Sequence, residues 1–273
     1  MIEFPALTVG PDITISASSY VAYRQCPDRA LARFRGEYGP ESVPAFRGNL
    51  AHRIFARHLR DGPIDEDGFA LACREEIGSS NLNYKMGELG LTPTVLRGVI
   101  EEVGALYERF RRLPGEGFQG AEVALKVDIG VGVHLAGVID AVFHDDDRAR
   151  LVDWKTGTLG EAQDQLDFYA LVWHLQFGSI PQVAEAVSVQ TGERMELRFS
   201  TADLLRVAHD ISDMVNTLRA ALMADRSLTR TGGPWCRFCP ILDGCQEGGA
   251  AVAVQKSSVA GIRTGPRGLQ ETV

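Results

Sequence analysis

Gly137–Gly157, GVIDAVFHDDDRARLVDWKTG, carries two β-branched and aromatic-rich runs separated by the polar segment HDDDRAR, the pattern of a β-hairpin. With the turn centred between Asp146 and Asp147, Asp140 falls opposite Asp153 and Val142 opposite Leu151. Directly opposed residues share a face, with Cβ atoms about 5 Å apart. The period of two puts Lys155 on the face of Asp153 and turns Trp154 the other way, into apolar packing. Two carboxylates and an ammonium thus converge where an ordinary sheet would bury valines.

Two carboxylates so close repel, and a hard divalent cation such as Mg²⁺ or Mn²⁺, bound through oxygen, relieves the repulsion. A D-x-K triplet alone is common and equally describes a solvated hairpin face. The rest of the chain has to separate the two readings.

The 273 residues suffice for a sizeable core, and the composition is that of a soluble globular protein. No run reaches the roughly 18 apolar residues of a membrane span, and MIEFPALTVGPD lacks a basic region followed by an apolar one, so the expected location is cytoplasmic, away from membranes. A formal net charge of -8 argues against a generally basic nucleic-acid coat while leaving room for a local groove. No G-x-x-x-x-G-K-[ST] motif points to an ATP-driven motor.

Ser16 to Gly36 reads as a helix broken near Cys26-Pro27, capped by Ser16 or Ser18, with Arg24, Arg29, Arg33 and Arg35 as a basic patch that is either a solvated face or a phosphate contact. Phe46 to Leu59 is a second helix, on which Gly48 and His52 lie one turn apart. The small residue leaves room for another element; His52 alone is an ordinary packed or surface histidine. Asp65 to Ile77 is helical, with Cys73 a core residue. Gly78 to Leu91 reads as a mobile loop or short lid, and Thr92-Pro93 opens a helix to Leu113. Ala121 to Ile129 is a strand whose Glu122 is an edge residue rather than a third acid of the hairpin site. A helix from about Glu161 to Phe177 places Gln165 and Tyr169 on one face. Val183 to Gln190 and Met195 to Phe199 are strands, and Thr201 to Ala224 is a long helix capped by Thr201 or Asp203. The fold class is mixed α/β: helices, three or four mostly antiparallel strands, a helix and further strands, together a mixed sheet flanked by helices.

Gly232 to Gly248, GGPWCRFCPILDGCQEG, breaks every periodicity and holds Cys236, Cys239 and Cys245 at the spacing C-x₂-C-x₅-C. Three thiols so close in a Gly/Pro-rich loop favour a soft metal centre. Cys26, also followed by proline, is the natural fourth ligand and would clip the two ends of the chain together. Four thiolates suit a [4Fe–4S] cluster or structural Zn²⁺, and spacing alone leaves both open. The expected organisation is an extension over 1–15, a single domain over 16–249 (helical part 16–113, core 114–200, C-terminal helix and cysteine loop 201–249), and a disordered tail over 250–273.

Taken together, Gly48-x-x-x-His52, Gly137-Val-Ile-Asp140, Asp153-Trp-Lys155-Thr-Gly157, Gln165-x-x-x-Tyr169 and the split cysteine set resemble the RecB-type nuclease branch of the PD-(D/E)XK superfamily, over roughly Ser16 to Gln246. The resemblance implies a restriction-endonuclease-like core. It assigns His52, Asp140, Asp153 and the main-chain carbonyl of Trp154 to a Mg²⁺ or Mn²⁺ ion, and Lys155 to the attacking water. Gln165 and Tyr169 would position the DNA backbone. Cys26, Cys236, Cys239 and Cys245 match cysteines that hold a [4Fe–4S] cluster in AddB-type recombination nucleases and in the RecB-like nuclease of CRISPR adaptation, which favours iron–sulfur over Zn²⁺. The implied activity is a metal-dependent deoxyribonuclease, an exonuclease on single-stranded DNA ends in repair or recombination. Its alternatives are an end-trimming subunit of CRISPR adaptation and a non-catalytic DNA-binding scaffold. The implied partners are DNA and a helicase or a CRISPR integrase.

Overall fold

The computed structural model describes residues 2–145, 148–160 and 162–262, and the chain divides into two compact units. One comprises Met1–Tyr20 and Glu41–Arg219, the other Val21–Pro40 and Ala220–Val273. Asp146 and Asp147, on which the expected turn was centred, Glu161, and 263–273 lie outside the described residues.

In chain order the elements begin with β1 Ile13–Ser16, α1 Ala17–Gln25, α2 Pro27–Phe34, α3 Val43–Asp61, α4 Glu66–Gly78, α5 Leu82–Glu88 and α6 Pro93–Phe110. Then come β2 Phe118–Asp128, β3 Val133–Asp145, β4 Arg148–Lys155, α7 Gln163–Phe177, β5 Val183–Ser188, β6 Arg194–Leu197, α8 Thr201–Met223, a 3₁₀ turn Pro234–Phe238 and α9 Gln246–Ile262. No helix among the described residues is long and apolar enough to cross a membrane.

The larger unit is built on a mixed sheet in which the long strand β3 has three partners. β2 pairs antiparallel along one side of it, while β1 pairs parallel with Val133–Ala136 and β4 antiparallel with Ala141–Asp145. Between β1 and β4 the residues Gly137–Asp140 are left as a seam. The printed β3–β4 register includes Val142 with Leu151, and one step beyond its last pair, Ala141 with Val152, stand Asp140 and Asp153. β4 continues into β5 by a parallel pairing, with α7 as the crossover, and β6 closes the edge. Among the described residues the sheet has six strands and two parallel pairings, the mixed sheet flanked by helices that the sequence led one to expect.

Helices α3, α4 and α6 supply Phe46, Leu50, Ile54, Phe55, Cys73, Val103, Tyr107 and Phe110 to one apolar cluster with Ala141, Phe143, Val152, Trp154, Val187 and Val189 of the sheet. Within it the Trp154 indole meets Phe110 edge-on at 5.2 Å, the apolar packing expected of that side chain. Burial of side chains this size is worth about 1.5–3 kcal/mol each, so the cluster fixes the backbone on which Asp153 and Lys155 alternate. Thr92 caps α6 and Ser16 opens α1 by accepting from Ser19 N–H.

Several expectations change. The segment 78–91 is not a loop: Leu82 is buried and Met86 and Leu89 pack on the apolar cluster, which outweighs its glycines and forms α5. The cap of α8 is Ser200, whose Oγ accepts from Asp203 N–H while Asp203 accepts from Ser200 N–H, a reciprocal pair. Residues 250–262, expected without order, continue α9. Ile13–Ser16, read partly as extension, is a strand, and Arg219 holds the segment before it through the carbonyls of Thr8 and Pro11.

In the smaller unit the two stretches of chain are joined by Asp28. Its buried carboxylate accepts from Leu228 N–H and Arg230 Nε, each at 2.8 Å. Arg35 adds an ion pair with Asp225 at 3.0 Å. Gly39 has no room for a Cβ, because the carbonyl of Phe238 occupies the position.

Candidate active site

Asp153 is the centre of a polar network in the larger unit. Its Oδ1 accepts from Gln165 Nε2 at 2.7 Å, and its Oδ2 is ion-paired with Lys155 Nζ at 2.7 Å. Gln165 Oε1 accepts from Lys155 Nζ at 2.6 Å, and Gln165 Nε2 also reaches the Tyr169 hydroxyl at 3.0 Å. One amide thus bridges the acid, the ammonium and the phenol. The helical spacing of Gln165 and Tyr169 makes this possible, and Gly137 completes it, since a Cβ there would stand 3.1 Å from Tyr169 Cε1.

Asp140, at the seam where β4 leaves β3, accepts from the Trp154 N–H at 2.7 Å through Oδ2, and its Oδ1 lies 2.9 Å from His52 Nδ1. His52 reaches it from α3, which approaches the end of β4 because Gly48 has no side chain; a Cβ there would lie 3.2 Å from Thr156 Oγ1. The hairpin therefore assembles the residues the sequence had grouped: His52 with Asp140, and Asp153 with Lys155, Gln165 and Tyr169.

Burial and the neighbouring Asp140 charge push the Asp153 carboxyl up to about 6, against the pull of Lys155. Burial depresses the His52 imidazolium, but the Asp140 charge, their hydrogen bond and Asp153 together outweigh it, and the net shift is upward. Burial and Asp153 hold the Tyr169 phenol protonated, with the Gln165 contact opposing. Each shift traces to the same cause, a pair of acids crowded into a half-dry site.

Among the described residues no three or more His, Cys, Asp or Glu side chains stand ready as a coordination sphere. The carboxylates are instead turned to protein donors. Their chemistry still fits a hard divalent ion: Asp153 is 4 % exposed, its Oδ2 has only the Lys155 ammonium beside it, and the second carboxylate is its neighbour. The Trp154 N–H, by contrast, is engaged with Asp140, a contact the sequence had not indicated.

His52 and Asp140 open onto a cleft of about 340 Å³ that also carries Asn49, Arg53, Asn81 and Glu122. Asn49 precedes His52 by three residues on α3, a spacing that could have flagged it. Glu122 sits at φ +51° beside this cleft and is tied to Arg60 at 3.0 Å.

The smaller unit carries Cys26, Cys236, Cys239 and Cys245, none in a disulfide. Each thiol receives a main-chain N–H: Cys26 from Thr231 at 3.4 Å, Cys236 from Gly233 and Cys245 from Gly248 at 3.3 Å, and Cys239 from Ile241. Arg29 stands within electrostatic reach of Cys239, Cys26 and Cys236. A soft, all-sulfur donor set with N–H groups directed at the sulfurs fits a thiolate-bound metal group. Cys73 is apart from them, wholly buried in the apolar cluster, and burial pushes its thiol up to about 12.

The profile of the PD-(D/E)XK nuclease superfamily matches residues 14–246, and the chain belongs to that superfamily. Its members are in general metal-dependent nucleases, and the mixed sheet flanked by helices accords with their fold. No curated protein matches the chain. Among solved structures it is similar to SSO0001, at 13% identity and a TM-score of 0.38 over 88% of each chain. It is also similar to VC1899 from Vibrio cholerae, at 15% identity and a TM-score of 0.23 over 69% of this chain and 57% of that one. Superpositions this loose say nothing of its substrate.

Proposed function

We propose that the protein is a divalent-metal-dependent deoxyribonuclease acting on single-stranded DNA ends as an exonuclease, in repair or recombination, with a structural [4Fe–4S] cluster held by Cys26, Cys236, Cys239 and Cys245. The observation that carries the activity is the Gln165 amide binding Asp153 and Lys155 at once, beside the Asp140–His52 pair.

Asp140, Asp153 and His52, with the Trp154 carbonyl, would hold Mg²⁺ or Mn²⁺. Such an ion supplies charge neutralisation at the phosphate and an acidified water. Lys155 Nζ, fixed by Gln165, orients that water or takes its proton as it attacks phosphorus and the P–O bond to the departing nucleotide breaks. Asp140 fixes the orientation of the His52 ring through Nδ1 and leaves Nε2 as the free ring nitrogen. Tyr169, kept neutral, donates a hydrogen bond rather than a charge to the strand. The thiol group clips residues 21–40 to the C-terminal segment and takes no part in hydrolysis.

The test is digestion of 5′- and 3′-labelled single-stranded and duplex DNA by anaerobically purified protein with Mn²⁺ or Mg²⁺, beside Lys155→Ala and a chelator control. Stepwise shortening of single strands that needs the ion and Lys155 supports the proposal, and the label that shortens sets the polarity. Wild type that carries its metal yet cuts nothing refutes it.

A further inference from the structure

A chain of net charge -8 must offer a polyanion a local set of cations. The basic helix face is largely engaged: Arg35 is paired with Asp225, Arg29 donates through Nη1 to Gln25 and, with no acceptor for its Nε–H among the described residues, stands in the field of the Cys239, Cys26 and Cys236 thiols, and Arg24 and Arg33 also have partners in the protein. A different place offers such a set. Immediately after Lys155, Thr156 lines a cleft of about 300 Å³ together with Arg47, Arg109, Gln190, Glu102 and Leu106.

The cleft follows from features already described. Gly48 lets α3 close on Thr156, which brings the preceding residue, Arg47, to the end of β4. Arg109 comes from the last turn of α6 and donates through Nη1 to the main-chain oxygen of Gln190. Its other donors have no partner among the described residues. Arg47 spends Nη1 on Glu102 at 2.6 Å, while its buried Nε–H has no acceptor. An N–H without a partner in a concave site is a donor waiting for an acceptor. Glu102 is the one carboxylate in the lining, its side chain is 59% exposed, and an ion pair that wet is worth only about 0–1 kcal/mol. A phosphate can therefore displace it. Two guanidinium groups, a threonine hydroxyl and a carboxamide in a concave wall are phosphodiester chemistry.

We propose that this cleft binds a backbone phosphate flanking the one hydrolysed at Asp153 and Lys155, with Arg47 and Arg109 as positioning residues. The inference rests on the nuclease reading and adds to it the path of the strand, across the end of β4 between α3 and α6. Glu102 acts as the counter-ion that the incoming phosphate replaces.

The test is binding of a fluorescent single-stranded oligonucleotide, with Ca²⁺ in place of Mg²⁺, between 50 and 200 mM salt. Arg109→Ala and Arg47→Ala each weaken binding several-fold and make the slope of log K against log salt shallower by about 0.7, one phosphate contact on a single strand. Glu102→Gln, an exposed change that leaves the fold alone, tightens binding several-fold. In cleavage, KM rises in the arginine variants with kcat nearly unchanged. Wild-type affinity and slope in both arginine variants, or no tightening in Glu102→Gln, overturn the cleft while leaving the nuclease intact. A wild type that neither binds nor cuts DNA takes both down together.

Discussion

Around Asp153 side chains hold side chains, whereas around the four thiols the main chain does the holding. The acid, the ammonium, the amide and the phenol of the first region meet through their functional ends, and Gly48 and Gly137 merely clear space for the elements that carry them. In the second region the N–H groups of Thr231, Gly233, Ile241 and Gly248 face sulfur, so the path of the backbone is itself the site. The first arrangement rests on an apolar cluster that does not depend on it. The second has few large buried side chains of its own. Substitutions in the first region should therefore change chemistry and spare stability, while those in the second should change stability and spare chemistry.

The largest expected effect is on hydrolysis. Asp153→Ala should lower single-turnover digestion by about 10²–10⁴-fold, and His52→Ala should weaken divalent-ion affinity by about 10–100-fold, both with melting close to wild type. Cooperative unfolding at room temperature in Asp153→Ala would erase the contrast between the regions.

Next in size is the effect on the metal group proposed for the smaller unit. Cys26→Ala should strip iron and labile sulfide from anaerobically purified protein, whereas Cys73→Ala should keep both. If colour and iron survive in Cys26→Ala, the fourth thiol has been misassigned; zinc in place of iron would sharpen the comparison by making the clip purely structural.

Asp28→Ala isolates a buried polar link between the two stretches of that unit. It leaves Leu228 N–H and Arg230 without an acceptor and should cost about 1–3 kcal/mol in denaturant unfolding. Cleavage by the folded protein should be unchanged. A loss of nuclease rate without loss of stability would show the regions to be coupled.

The smallest effect concerns Cys73. Its folded thiol, near 12, lies above the unfolded value of about 8.5. Its contribution to stability is thus fully present below about 8.5 and is lost as pH rises toward 12. At pH 8.5 iodoacetamide should label unfolded but not folded Cys73, and Cys73→Ala should lose less stability than wild type between pH 8.5 and 10.

Much of this was legible from local pattern. Val142 faces Leu151 as the alternation required, and the one-turn spacings Gly48 to His52 and Gln165 to Tyr169 do what helical geometry allows. What escaped depends on contacts distant in sequence. Ile13–Ser16 is too short to announce itself and becomes a strand only through Val133–Ala136. α5 forms because Leu82 finds the core, a fact no propensity carries. The Ser200 cap was displaced by its better-known neighbours Thr201 and Asp203, although Ser-x-x-Asp was in plain view. The bond from Trp154 N–H to Asp140 needed the strands to part at the seam, which alternation alone does not reveal.

Because the smaller unit draws on Val21–Pro40 and on residues from Ala220 onward, its two pieces are 180 positions apart in the order of synthesis. At about 5–20 residues per second, the ribosome delivers the second piece roughly 10–40 s after the first. Throughout that interval Cys26 and Asp28 have neither their sulfur companions nor Arg230. Bringing the four thiols into one chain is thus a late event in the life of the nascent polypeptide, and a message cut short upstream of Cys236 would yield a polypeptide carrying the whole Asp153 network without three of the four thiols.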